Sequence, residues 1–298
     1  MDAETRACEG LCGTGVRTCS QGYWSGCQVP IVETPCSGPC GAGVQTCENG
    51  VVSACVIPVM QRECSSACGS GHESCIDGKW GACDAPLPKP PVLHTKIRDF
   101  HASQADFELP RAPDRIDAGM VQPILGPDQT PVYAGNPTTP STPSGKAGFD
   151  LWFHDTPGVN LATNHDLKLT DDPNTPGGYL YEDRAFFPIN DQLFGNEGRR
   201  NNYHFTLEAH TSFVYRGGEV FTFAGDDDVW VFIANQLVID LGGTHTLRTA
   251  SVSLDEQRGR LSLVVGQKYP LDLFFAERHT FSSNFIVHTT IADVGSCE

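Results

Sequence analysis

The stretch AGDDDVWVFIANQLVIDLGGTH, residues 224–245, decides how this chain is read. Three adjacent carboxylates, Asp226, Asp227 and Asp228, stand directly before an apolar run in which Trp230 and Phe232 alternate with Val229 and Val231. Alternation of this kind marks strands with a period of two residues, so one of those pairs is expected to be core. The run breaks near Asn235 and resumes as a second strand. Like charges on neighbouring residues repel, and such a triplet needs water or a bound cation to be tolerated.

Outward from it the same pattern continues. SFVYRGGEVFTFAG reads as strand, turn at Gly217-Gly218, strand. ASVSLD, RLSLVVG, YPLDLFFAE and NFIVHTTI follow as further strands, with no convincing amphipathic helix among them. Strands at this spacing predict an all-β sandwich or barrel. Residues 110–200 are richer in loops, and AGNPTTPSTPSGKAG (134–148) is expected to be a surface excursion.

The first third is different. Twelve of the thirteen cysteines fall between residues 8 and 83 and recur with a period of 28. Cys8, Cys12, Cys19 and Cys27 are followed by Cys36, Cys40, Cys47 and Cys55, then by Cys64, Cys68, Cys75 and Cys83. Each unit reads C-x-x-x-C-G-x-G-x-x-x-C-x-x-G-x-x-x-x-C. A unit with so few apolar side chains cannot offset its chain entropy by burial, whereas a disulfide closing about 15 residues contributes ~3 kcal/mol. Four cysteines per unit therefore predict two bridges per unit and six in all, with three pairings open inside each unit. The spacings lack the C-x-x-C pairs of common zinc sites, and no unit supplies a matching histidine. Cys297 has no partner in this scheme. The expected organisation is a disulfide-rich stalk of three repeats over 1–84, a Pro-rich linker over 85–93 (APLPKPPVL) and one large domain over 94–298.

A net charge of −16 argues against nucleic acid and anionic membranes as partners, and no segment approaches the roughly 18–20 apolar residues of a membrane span. The opening MDAETRACEG is acidic and is not a secretory signal. Cysteine usage nevertheless points to an oxidising compartment. The expectation is a secreted or cell-surface protein whose leader lies outside this chain.

KIRDFHASQADFE, FFPIND, FGNEG, YHFTLEAHTSFVYRGGEVFTFAGDDDVWVFIANQLVIDLGGTH and FFAERHTFSSNF, in that order, resemble the successive motifs of the fibro-slime domain. That module occurs in bacterial surface proteins and slime-mould extracellular proteins and is related to the PA14 β-sandwich. The resemblance runs from about residue 94 to 292. PA14-type lectins carry an Asp-Asp pair, joined by a cis peptide, whose carboxylates hold a calcium ion that binds sugar hydroxyls. The resemblance places that pair at Asp226-Asp227. Glu277 stands where the family usually has an Asn, and the loop Arg278 to Asn284 stands where it reads sugar. Arg278, His279, Phe281 and Asn284 are thus the implied ligand-facing residues, with His245 and Asp228 close by.

Each has a plainer alternative. Asp228 could cap the turn or pair with Arg278, and Asp240 could be a solvated turn residue. His245 and His279 could bind zinc or merely hydrogen-bond their loops, and Phe281 could plug its loop. Sequence-adjacent aspartates do not give the ~5–9.5 Å carboxylate separation of a glycosidase, and no G-x-S-x-G, P-loop or H-E-x-x-H motif is present. The sequence points to a non-enzymatic, calcium-dependent carbohydrate-binding or adhesive module of a bacterial surface protein, with an extracellular glycan or matrix component as partner. The alternative is a structural subunit that self-associates into a fibre, with calcium only stiffening its loops.

Overall fold

The computed structural model describes residues 4–48, 51–66, 68–76, 78–86, 89–109 and 114–292. Cys297 lies outside them. The chain divides into two compact units, one through residue 87 and one from residue 88. Among the described residues no helix is long and apolar enough to cross a membrane.

The first unit contains three antiparallel three-stranded sheets. They are β1 (Thr5–Gly10), β2 (Gly13–Ser20) and β3 (Tyr23–Trp24); β4 (Val32–Gly38), β5 (Gly41–Glu48) and β6 (Val51–Val52); and β7 (Met60–Ser66), β8 (Gly69–Ile76) and β9 (Lys79–Trp80). The C-G-x-G pattern has two causes here. Gly13, Gly41 and Gly69 turn the hairpin at φ of +118°, +129° and +150°. A side chain on Gly15, Gly43 or Gly71 would run into the returning backbone near Gln28, Val56 or Ala85.

The disulfides depart from the expected two per unit. Within each unit only the first and fourth cysteines pair: Cys8–Cys27, Cys36–Cys55 and Cys64–Cys83. The second cysteine reaches into the following unit and takes its third, giving Cys12–Cys47 and Cys40–Cys75. Cys68 is also disulfide-bonded, and Cys19 is a free thiol. The reason is geometric. The second cysteine precedes the eight-residue middle strand and the third lies near its far end, so about seven extended residues, ~23 Å, separate them. A bridge requires Cα atoms within about 7 Å.

The second unit is a β-sandwich with antiparallel pairing throughout. Its strands are β10 (Val92–Phe100), β11 (Asn160–Lys168), β12 (Thr170–Asp171), β13 (Tyr179–Asp183), β14 (Phe205–Val214), β15 (Val220–Gly225), β16 (Asp228–Ile233), β17 (Gln236–Leu241), β18 (Arg248–Ser253), β19 (Lys268–Glu277) and β20 (Phe285–Thr289). One sheet has the order β11-β10-β14-β19-β16-β17 and the other β12-β13-β20-β15-β18. β10 starts at Val92, inside the stretch expected to be linker.

Ile97, Leu207, Val229, Val231, Leu273 and Phe275 of the first sheet pack with Phe221, Phe223, Phe285 and Val287 of the second. The opposite face of the first sheet is buried as well. Trp230, Phe232 and Phe274 meet Phe107, Met120, Phe149, Trp152 and Phe153 from the covering segment between β10 and β11. Both alternating pairs of VWVFI are therefore core, one on each face, and all six residues of β16 are buried. A strand covered on both faces reads as an unbroken apolar run.

The segment 134–148 is accordingly not a surface excursion. It carries part of that cover, ends in the short helix α1 (Gly145–Phe149), and buries Ser141 and Thr142 completely. Gly217 and Gly218 turn at φ of +94° and +86°, but β14 and β15 belong to different sheets, so the turn crosses the sandwich rather than closing a hairpin. The hairpin is at Ala234-Asn235, between β16 and β17, with φ of +51° and +61°. RLSLVVG is no strand. A helix, α2 (Leu254–Leu261), occupies its start, Ser262 ends the helix at φ +55°, and Val264 and Val265 are exposed. With Leu254 and Leu261 its only apolar residues, α2 has no amphipathic stripe to read.

His210 of β14 stands opposite Asp272 of β19, its Nδ1 2.8 Å from Oδ1, and its Nε2 is 3.8 Å from Glu208. The hydrogen bond to Asp272 and then the nearby Glu208 carboxylate push the imidazole up to about 9, against a partial opposing effect of burial. A pKa raised from ~6.5 in the unfolded chain stabilises fully below pH ~6.5 and is lost as pH rises through about 9. His210→Gln should therefore lower the melting temperature at pH 6 and leave it nearly unchanged at pH 10. Because the ring is partly exposed, the loss at pH 6 should be about 1 kcal/mol, read by thermal unfolding across that range.

Candidate functional site

Two connections between the sheets cross at one end of the sandwich. β15 ends at Gly225 in the five-stranded sheet and β16 begins at Asp228 in the six-stranded one, so Asp226-Asp227 is the whole link. β19 ends at Glu277 in the six-stranded sheet and β20 begins at Phe285 in the other, so residues 278–284 form the second link. β16 and β19 pair Asp228 with Ala276, and the next pair beyond the end of that ladder is Asp227 with Glu277. The fold thereby brings together the three carboxylates that the sequence separated by fifty residues.

The link between Asp226 and Asp227 does not use the cis peptide that the resemblance implied; the cis bond among the described residues is Asn136–Pro137. The chain turns instead by placing Asp227 at φ +57°, a conformation Asp tolerates better than most residues.

All four acidic side chains are buried: Asp226 is 3% exposed, Asp227 5%, Asp228 0% and Glu277 0%. Asp226 accepts from Ser282 Oγ at 2.5 Å, from Asn284 Nδ2 at 2.8 Å and from the Asn284 amide. Asp227 Oδ2 accepts the Arg278 amide at 2.8 Å. Glu277 Oε1 is 3.4 Å from the His279 amide, and its Oε2 is buried with no hydrogen-bond partner. Asp228 accepts from the Gly243 amide at 2.6 Å and from Arg278 Nε at 2.5 Å.

Asp228, Asp227 and the buried Asp106 act on the one guanidinium, while Asp226 and Glu277 act on Asp227 and on each other. Burial raises the Asp227 carboxyl to about 7; Arg278 opposes the rise, and Asp228 and Asp226 add to it. Burial, then Asp227 and Asp226, hold Glu277 well above the ordinary carboxylate range. Burial lowers the Arg278 pKa, but Asp228 above all reverses this and leaves it raised.

Several expected ligand-facing residues do other work. Arg278 is fully buried: its Nη1 donates to the carbonyls of Asp106 at 2.8 Å and Ser141 at 2.7 Å, and its guanidinium lies 4.6 Å over the Trp152 ring. It and Asp228 form a buried ion pair with no surface to offer a ligand. His245 is 5% exposed, with Nδ1 and Nε2 each 3.0 Å from a carbonyl, those of Thr246 and Leu241. The Asn284 amide group is engaged by Asp226. Asp240 is no solvated turn residue, since it holds Trp230 Nε1 and the Gly119 amide. Phe281 is 85% exposed, and its ring stacks parallel to that of the half-buried His279 at 5.2 Å, so its free face is open to solvent.

Glu108 went unnoticed in the sequence. Its amide donates to the Arg278 carbonyl, and its carboxylate accepts from the amide and hydroxyl of Thr280 while also facing His204. It fixes the 278–284 link from 170 residues away; it ends the motif KIRDFHASQADFE, but nothing local in that stretch marks its role.

Among the described residues no three His, Cys, Asp or Glu side chains are grouped so as to hold a metal ion. The oxygens gathered here are those of carboxyls and hydroxyls, burial disfavours the ionised form of Asp227 and Glu277, and Oε2 of Glu277 is unengaged.

The PA14 domain family model matches residues 191–298, and the sandwich carries that fold. The chain is 40% identical to protein psiC of Dictyostelium discoideum over 203 residues, 64% of this chain and 39% of psiC. It is 41% identical to protein psiR over 228 residues, 70% of this chain and 22% of psiR, and 41% identical to protein psiD over 214, 67% of this chain and 41% of psiD. The chain therefore spans about a fifth to two fifths of these relatives, which are Dictyostelium proteins rather than the bacterial ones the sequence suggested. Among solved structures it is similar to the PA14 domain of the MpAFP antifreeze protein (9% identity, TM-score 0.27, 41% of this chain and 74% of that one). It is also similar to a PA14 sugar-binding domain from an RTX adhesin (11% identity, TM-score 0.22, 33% of this chain and 51% of that one).

Removing one member of a buried ion pair strands the other. Asp228→Asn should cost about 3–5 kcal/mol in urea unfolding. Adding Arg278→Met should produce a double variant that loses less than the sum of the two single losses.

Proposed function

We propose that this chain is an extracellular binding module in which Asp226, Asp227 and Glu277 hold a calcium ion and, with it, a carbohydrate. The observation that carries this reading is the charge imbalance at the paired crossings: four buried carboxylates and one guanidinium, with Asp228 and Arg278 already satisfying each other. The remaining three would cost several kcal/mol each as bare anions away from water. A divalent cation neutralises two of the three charges. Calcium suits the donor set, because it takes six to eight oxygens in flexible geometry and leaves positions for water and vicinal hydroxyls.

The chain's own residues would orient that site. Ser282 and Asn284 hold Asp226, the Arg278 amide holds Asp227, and Glu108 holds Thr280 in the link between them. Beside them the exposed Phe281, stacked on His279, offers an apolar face to a sugar ring. The PA14 fold supports a binding role rather than catalysis. The disulfides support an oxidising, extracellular setting. The bridges running from unit to unit favour a second reading, in which the protein is a structural subunit of an extracellular fibre or matrix.

Calcium at about 100 times its Kd should stabilise the wild-type protein by ~2.7 kcal/mol, a rise of about 5–10 °C in melting temperature for a domain of this size. Asp227→Asn and Glu277→Gln should each abolish that rise. A glycan array probed with and without EDTA should show hits that need calcium and weaken with Phe281→Ala. An undiminished rise in both carboxylate variants would remove the metal from this site. A calcium response with no glycan hit, accompanied by filaments in electron micrographs, would favour the second reading.

A further inference from the structure

The three small sheets of the first unit are copies, and so are the places of their cysteines. Cys19, Cys47 and Cys75 all lie near the end of the middle strand of their sheet. Cys19 is paired across the ladder with Trp24, Cys47 with Val52 and Cys75 with Trp80. In two of the three copies this third cysteine is bonded to the second cysteine of the preceding unit, at a separation of 35 residues each time. Bonding also covers it: Cys47 and Cys75 are buried, whereas Cys19 is half-exposed and carries a free thiol. The three positions are alike in strand, register and sequence motif, and they differ in having or lacking an incoming cysteine.

We propose that Cys19 is an open docking position for a further unit of the same C-x-x-x-C-G-x-G type, which it would bind through a disulfide to that unit's second cysteine. The first and fourth cysteines of each unit close on themselves. The second and third are therefore its two couplings, one donating towards the next unit and one receiving from the previous. Forming the bond joins the Cys19 sulfur to the incoming sulfur and releases two protons and two electrons. A low-molecular-weight disulfide such as oxidised glutathione accepts both electrons and leaves as two thiols.

The test adds a unit to the full chain in the register the existing bridges use. A copy of residues 29–56 placed directly ahead of residue 1 puts the copied Cys40 35 residues before Cys19, the separation seen twice already. After refolding in a glutathione redox buffer, alkylation of free thiols and peptide mapping locate every bridge. Cys19 should lose its reactivity and appear cross-linked to the copied Cys40, and the free thiol should move to the copied Cys47. With the copied Cys40 changed to Ser, Cys19 should become reactive again while the added unit's own first-to-fourth bridge remains. A parallel chain carrying a copy of residues 57–84 guards against a misfolded graft, since the copied Cys68 falls in the same register. Cross-linking of Cys19 in either chain supports the proposal. A Cys19 that stays alkylatable in both, or is capped only by glutathione, overturns it.

Discussion

The guanidinium of Arg278 is the point through which the sandwich, its outer cover and the acidic site depend on one another. A charged pair taken out of water costs several kcal/mol per ion, which hydrogen bonds to its remaining groups help to offset. Here Arg278 reaches Asp228 at the mouth of β16, the carbonyls of Asp106 and Ser141 in the covering segment, and the face of Trp152, while its Nη2 is buried without a hydrogen-bond partner. Three of these partners belong to the covering segment and the fourth, Asp228, opens β16. The segment between β10 and β11 therefore cannot leave the outer face of the first sheet without stranding a cation, and the two sheet crossings cannot separate without stranding Asp228. Satisfying Asp228 also isolates the charge of its neighbours. Asp226, Asp227 and Glu277 act on one another, and among the described residues the cation acting on Asp227 is Arg278, already committed to Asp228.

What the sequence disclosed follows from how local each signal is. The all-β sandwich was legible because alternation in β15, β16, β19 and β20 is a property of five to ten consecutive residues. The meeting of Asp226-Asp227 with Glu277 was legible only through resemblance, because it depends on β16 and β19 being neighbours in the sheet. The pairing of Asp228 with Arg278 was one of the alternatives the sequence offered, but the burial of the pair was the least accessible. An Arg in a loop beside a binding site reads as a surface group, and only the burial of Trp152 and Ser141 around it shows otherwise. For the same reason 134–148 was misread: Pro, Ser and Thr in quick succession look solvated, yet Thr142 bonds Tyr133 and the carbonyl of Ser141 bonds Arg278, which makes both interior.

The cysteine framework shows a related limit. A period of 28 residues announces repeats, but it cannot say whether a bridge closes a unit or joins two. Strand length decides. The middle strand is long enough to carry the second and third cysteines out of each other's reach, and its far end is then presented to a neighbour.

That arrangement changes how the first unit resists unfolding. The bridges 8–27, 12–47, 36–55, 40–75 and 64–83 overlap in sequence, each loop beginning before the previous one has closed. In a string of independently closed units, opening one bridge would release one sheet from the rest. In the overlapped ladder, opening Cys36–Cys55 leaves the middle sheet bonded to both neighbours through Cys47 and Cys40. Stability in a repeat array is a sum of unit terms and nearest-neighbour terms. These units, too poor in apolar side chains to build an interface by burial, draw their neighbour term from covalent bonds.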